Sequence, residues 1–206
     1  MLEYLGGAVR ISLVTFALCG FAYPFAVTAI GQLAMPYRAN GSIAKSADGR
    51  IIGSQLIGQQ WNDPQWFHGR PSATVAPDPH DPTKTVDAPY NAANTAASNL
   101  GPTSKALQER LSAGRKALEA AQPELAGELL PADMLTASGS GLDPDITPAN
   151  ASLQVMRVAK TRAVPPEQIA ALVKQHTTPR SLWIFGEPRV NVLQLNLALE
   201  KAYPKE

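Results

Sequence analysis

The longest uninterrupted apolar stretch runs from Ile11 to Pro36, with no charged side chain inside it and Arg10 and Arg38 at its ends. Coiled as a helix at 1.5 Å per residue it would reach roughly 39 Å, more than the roughly 30 Å hydrocarbon layer of a bilayer. The pattern therefore predicts one tilted membrane-spanning helix. Tyr4 and Tyr37 flank it where amphipathic rings settle among headgroups, and Arg10 and Arg38 are placed to snorkel. Pro24, near the centre, removes a backbone donor and predicts a kink; the freed carbonyl is tolerated best beside another helix. Ala22 and Ala26 have small-xxx-small spacing, so Gly20, Ala22, Pro24 and Ala26 are the candidate contacts for a partner helix. A cleavable secretory signal needs a shorter apolar core, about 7 to 15 residues, and a lipoprotein signal needs a small residue where Leu18 precedes Cys19. The segment reads as a retained anchor.

Beyond it the pattern breaks into short pieces. Ile51 to Gly58, bounded by Asn40-Gly41-Ser42 and Asp48-Gly49-Arg50, predicts strand and the start of a small sheet. Residues 70–90, rich in proline and poor in apolar side chains, predict a surface loop. Helices follow. One runs from the Pro102-Thr103-Ser104 cap to about Ala121, with Leu107, Leu111 and Leu118 near one face, and another starts at Thr147-Pro148 and reaches about Arg162. A third opens at Pro165-Pro166-Glu167 with a stripe of Ile169, Leu172, Val173 and His176, and a last one spans about Val190 to Lys201 with Leu193, Leu197 and Val190 inward. Helices and strands do not alternate regularly, so the expected class is α+β. The expected organisation is a stub over 1–10, a transmembrane helix over 11–36 and one small mixed soluble domain over 37–206.

Composition narrows the partners. A formal net charge of +1 over 206 residues, with no basic run, excludes the usual footprint of a nucleic-acid binder. Cys19 is the only cysteine, so no disulfide forms within the chain. Charge leaves the orientation open: Arg38, Lys45 and Arg50 outnumber Arg10 and favour the domain inside, yet long domains translocate largely regardless of such charges.

Candidate chemistry is sparse. No Gly-Lys-Ser or Gly-Lys-Thr occurs, and Asp81-Pro82-Thr83-Lys84-Thr85 has the wrong order for a phosphorylated aspartate motif. Ser140, in Ser138-Gly139-Ser140-Gly141, lacks the flanking glycines of a nucleophile elbow and reads as part of a tight connection. His68, His80 and His176 have no ligand spacing, and Asp143 and Asp145 read as turn carboxylates, so no catalytic residue and no metal site is expected. Asn91, Asn94 and Asn99 read as loop residues bonding their own backbone, and Trp61, Trp66 and Phe67 as core.

PYRANGSIA from Pro36, GSQLIGQQW from Gly53, WFHGRPSAT from Trp66, SNLGP from Ser98, TASGSGLDPDITPANA from Thr136, QVMRVAKTR from Gln154 and GEPRVNVLQLNLAL from Gly186 occur in fixed order. In this the chain resembles, from anchor to last helix, the C subunit of the bacterial Kdp potassium-transporting ATPase. The resemblance implies a non-catalytic, single-pass subunit of the cell inner membrane, with a short cytoplasmic N-terminus. Its partners would be a channel-like potassium-binding subunit, a P-type ATPase subunit, a small F subunit and the bilayer. ATP and potassium would be handled by the complex, with no cofactor bound by this chain. The family is described as a catalytic chaperone that assists assembly and raises ATP affinity, with a glutamine contacting nucleotide; Gln154 matches that glutamine. The other reading of Gln154 is an amide on the exposed or partner-facing side of its helix. A domain outside the membrane, as the family picture has it, cannot touch ATP bound on the cytoplasmic side. The resemblance thus favours a domain capping the channel subunit's outer mouth, its ATP effect transmitted through the anchor. Thr95-Ala96-Ala97-Ser98 departs from a Ser-Gly-Gly-Ser stretch common in the family, and Asp145 stands where histidine or asparagine is common. The alternatives are a membrane-tethered hydrolase using Ser140 and an independent binding domain displayed on a membrane.

Overall fold

The computed structural model describes residues 2–46 and 48–204, and the chain divides into two compact units, one ending at Ser54 and one beginning at Gln55. In the first, helix α1 (Leu2–Ala17) continues through a π turn (Leu18–Ala22) into α2 (Tyr23–Ala34), then a short α3 (Pro36–Ala39). The stretch Tyr4–Ala34 is 31 residues long, has a mean hydropathy of 1.9 and contains no buried residue. Within this unit, the described residues leave that apolar surface exposed, as expected of a helix whose solvent is lipid. The disturbance predicted at Pro24 takes the form of the π turn: the Tyr23 N–H donates to Leu18 O, five residues back. Widening the turn keeps the proline ring off the Gly20 carbonyl one turn earlier. Strands β1 (Ile43–Lys45) and β2 (Ile51–Ser54) pair antiparallel, Ile43 opposite Ser54.

The second unit is helical with small sheets, the α+β class expected. Residues 70–90 are more ordered than a surface loop: β3 (Val75–Pro77) and β4 (Thr85–Asp87) form an antiparallel hairpin. Aspartates shape its turn, the His80 N–H donating to Asp78 Oδ1 at 2.7 Å and the Thr83 N–H to Asp81 Oδ1 at 3.1 Å. Helix α4 (Lys105–Ala121) follows, then a 3₁₀ turn (Pro123–Leu125) and α5 (Ala132–Leu135). A three-stranded sheet has β7 (Arg189–Asn191) between β5 (Asp145–Ile146) and β6 (Thr177–Thr178). Helices α6 (Pro148–Arg162), α7 (Pro166–Gln175) and α8 (Val192–Ala202) enclose the main core.

Thr147 caps α6 as its sequence predicts, its Oγ1 accepting from Asn150 N at 3.1 Å with Pro148 in the first turn. The last helix differs from expectation. Val190 is a buried strand residue, and Asn191 caps the helix by accepting from Gln194 N at 3.1 Å. That cap sets the register, so Val192, Leu193, Leu195 and Leu199 face inward and Leu197 is only half-buried. Val158, Ile169, Val190, Leu195, Leu199 and Phe67 are fully buried together. Phe67 belongs to no helix or strand, so an irregular segment crosses the core.

Candidate functional site

A segment of irregular backbone inside a core has N–H and C=O groups that no strand or helix neighbour satisfies, and each left unpaired costs about 1–3 kcal/mol. Here the segment is Asp63–Arg70, and side chains of α6 and α8 supply its partners. Asn196 acts as a surrogate strand, its Oδ1 accepting from Phe67 N at 2.8 Å and its Nδ2 donating to Phe67 O at 2.9 Å. Gln154 does the same one residue on: Oε1 accepts from His68 N at 2.8 Å, and Nε2 donates to His68 O at 3.1 Å. Arg157 Nη1 donates to Pro64 O and to Trp66 O, and Arg162 Nε donates to Gln65 O at 3.1 Å. The Arg162 guanidinium also lies 4.4 Å from the centre of the Trp66 ring. Consecutive carbonyls from Pro64 to His68 are thus all held by side chains.

The lock extends further. Gln154 Nε2 also donates to Asn150 Oδ1 at 2.8 Å, and Asn150 Nδ2 donates to Asp133 Oδ2 at 3.0 Å. Asp133 accepts in addition from the N–H and hydroxyl of Thr147. One chain of hydrogen bonds therefore joins the Asp63–Arg70 segment to α6, to the cap of α6 and to α5. Gln154 is 3 % exposed and Asn196 is fully buried. The Gln154 amide has two donors and two acceptor positions, and His68, Asn150 and the donating Arg157 Nη2 at 2.7 Å occupy all of them. It is neither on an exposed face nor free to contact a ligand without releasing these bonds.

Burial brings the pKa of Arg157 down to about 10, opposed by the charges of Glu124 and Asp63. His68 is also lowered below 6.5, first by burial and then by the neighbouring Arg157 charge, and its Nε2 lies 3.1 Å from Asp63 O. The unfolded chain then binds a proton at His68 that the folded chain resists, so this contribution to stability is present above pH 6.5 and lost as the pH falls through that value. Urea midpoints measured between pH 7.5 and 5 are expected to fall with pH in the wild type and to flatten in His68→Gln.

The other sequence candidates fall elsewhere. Arg70 Nη1 pairs with Asp143 Oδ2 at 2.9 Å, and Asp145 Oδ2 with Arg189 Nε at 3.1 Å, so both aspartates do more than shape a turn. Ser140 Oγ accepts from Leu142 N at 3.1 Å, the bond of a turn serine. Asn91 Oδ1 accepts from the Ala93 N–H at 3.1 Å, the local bond expected, and Asn91 and Asn94 each also donate across to Val75 O, bracing the hairpin. Among the described residues no group of histidine, cysteine and carboxylate side chains is arranged to hold a metal. Gly20, Ala22, Pro24 and Ala26 all lie exposed on the apolar helix, and Phe16, Phe21 and Phe25 pack in a row beside them. Sequence reading did not reach Arg157, Arg162, Asn150 and Asn196. A signal was present for two of them: Val158 and Ala159 stand four and three positions before Arg162, and Val192, Leu193 and Leu199 stand three or four positions from Asn196.

An exposed apolar helix long enough to cross a membrane, joined to a domain whose buried polar groups hold its own backbone, is consistent with a membrane-anchored subunit. Residues 5–201 match the family described as KdpC: K+-transporting ATPase, c chain. The chain is 53% identical to the potassium-transporting ATPase KdpC subunit of Bradyrhizobium diazoefficiens over 100% of both chains. It is likewise 53% identical to that of Rhodopseudomonas palustris over 100% of both, and 49% identical to that of Methylobacterium nodulans over 98% of both. The chain belongs to the KdpC family, the C subunit of the potassium-transporting ATPase.

Proposed function

We propose that this chain supports assembly and ATP turnover of a potassium-transporting ATPase as a non-catalytic subunit. It acts through packing contacts made by its anchor and its folded domain. The observation that carries this reading is the saturated Gln154 amide: the residue matched to nucleotide contact spends its whole hydrogen-bonding capacity on His68, Asn150 and Arg157. On this reading Gln154 raises ATP affinity only indirectly, by shaping a domain that other subunits read. The partners are the channel-like subunit, the P-type ATPase subunit and the small F subunit. Gly20, Ala22, Pro24 and Ala26 offer the anchor's close-packing face, because small side chains and a proline-widened turn let a second helix approach. The domain lies on the extracytoplasmic side, over the channel subunit's outer mouth, and handles neither ATP nor potassium itself.

Detergent purification through a tag on the P-type ATPase subunit, followed by potassium-stimulated ATPase assay with and without this chain, tests the reading. Co-purification is expected, with stimulation lost when the chain is omitted. Full stimulation without it would overturn the proposal. In the same cells, Ser152→Cys in a Cys19→Ser chain should react with a membrane-impermeant thiol reagent before lysis; reaction only after lysis would place the domain inside. A hydrolase using Ser140 predicts instead ester turnover by the chain alone that disappears in Ser140→Ala.

A further inference from the structure

Every residue from Thr178 to Arg189 is exposed, although the centre of this arm is Leu182-Trp183-Ile184-Phe185. Trp183 is 89 % exposed, Leu182 72 %, Ile184 71 % and Phe185 63 %. Four consecutive large apolar side chains in water are unfavourable by roughly 25 cal/mol per Å² of apolar surface, and such patches mark interaction sites. The arm is also built. Its base is β6 against β7, with Thr177 opposite Val190. Above that, Arg180 Nη2 pairs with Glu187 Oε2 at 2.5 Å. The Ser181 N–H donates to Phe185 O at 2.8 Å, and the Phe185 N–H donates back to Ser181 O at 2.9 Å. At the tip Leu182 and Trp183 are left-handed, with φ of 51° and 63°. That conformation costs about 1–2 kcal/mol per non-glycine residue, and no core contact repays it. A strained turn that aims Trp183 and its neighbours outward is what a surface-seeking tip requires.

We propose that this tip inserts into the interfacial layer of the bilayer, in the leaflet on the domain's own side, as a second membrane contact. This rests on the membrane reading of the N-terminal helix. Three features favour lipid. No charge occurs from Ser181 to Gly186, and the first charges below the tip are Arg180, Arg189 and a Glu187 already paired to Arg180. An apolar tip carrying an indole, with guanidinium groups below it, follows the order of polarity from acyl chain and interface to phosphate. Only residues 35–54 separate the end of the apolar helix from the start of the domain, so the tip stays at high effective concentration near the bilayer, and modest affinity suffices.

The full chain, reconstituted in phosphatidylcholine–phosphatidylglycerol vesicles containing lipids brominated near the headgroup end of the acyl chain, tests this by tryptophan quenching. The Trp183 signal is the difference between wild type and Trp183→Phe, and Phe21→Trp in the latter reports on the anchor. Bromolipid is expected to halve the Trp183 emission, iodide in the water to leave it nearly unchanged, and co-reconstituted pump subunits to preserve both results. If the Phe21→Trp probe is quenched by bromolipid and Trp183 only by iodide, the tip lies in water and the proposal fails while the anchor stands. Protection of Trp183 from both quenchers only when pump subunits are present would assign the tip to a protein pocket and also overturn it. Failure of bromolipid to reach Phe21→Trp would remove the anchor reading and this proposal together.

Discussion

Asn196→Ala is expected to lower the thermal unfolding midpoint of the domain by about 10 °C, as a loss of about 3 kcal/mol does in a chain of this size. The Asn196 carboxamide is fully buried and is the partner of both the N–H and the C=O of Phe67, itself fully buried. Alanine strands both groups where water cannot replace the amide, at about 1–3 kcal/mol each, and leaves a small cavity beside Leu195 and Leu199. Asn196→Asp keeps an acceptor for the Phe67 N–H but faces the Phe67 carbonyl with a carboxylate in place of a donor. It should remain folded and be nearly as destabilised. An alanine variant that unfolds within a degree of wild type would show that the Asp63–Arg70 segment does not depend on this amide.

Gly141→Ala is expected to cost a comparable amount, about 3 kcal/mol, through a different cause. Its φ is +72°, where an L side chain carries about 1–2 kcal/mol of strain. A methyl there would stand 2.6 Å from Thr74 Cγ2 and 2.7 Å from the backbone Ala96 O, a second cost of about 1–3 kcal/mol. Thr74 is buried, and Ala96 is tied to this connection by its N–H donating to Ser140 O at 3.0 Å, so neither neighbour moves freely. Thr74→Ser in the same chain should recover part of the loss but not all, since the clash with Ala96 O persists. Gly101→Ala, with nothing within 4 Å, serves as the neutral control. Urea denaturation of the three variants orders them.

Length and apolarity made the N-terminal helix legible, because an uncharged run of this length fits the thickness of a bilayer. The starts of α6 and α7 were equally visible, since Thr147-Pro148 and Pro165-Pro166 are local chemistry. Legibility failed where tertiary partners decide. Asn191 looks like one more residue of an amphipathic run, yet pairing of Val190 with Ile146 and Thr177 makes it a strand end and a cap, which shifts the inward face to Leu195 and Leu199. Val75 to Pro77 and Thr85 to Asp87 are too short and too polar to declare themselves strands, and each needs the other. Gln154 and Arg157 sit three apart on one helix, a spacing that ordinarily reads as a solvated face. They are buried because a segment some ninety residues earlier brings unpaired carbonyls to them, and no local pattern encodes that meeting. The glutamine singled out by resemblance and the segment around Trp66 and Phe67, singled out as core, thus prove to be two halves of one lock.

The most direct test of this account is the KM for ATP of the purified pump carrying Gln154→Ala, compared with wild type at equal content of this subunit. A residue that only holds the Asp63–Arg70 segment predicts less assembled complex and a lower domain unfolding temperature, with an unchanged KM for ATP in the complexes that do assemble. Full assembly and unaltered stability with a raised KM for ATP would contradict it, and would place nucleotide at Gln154 itself.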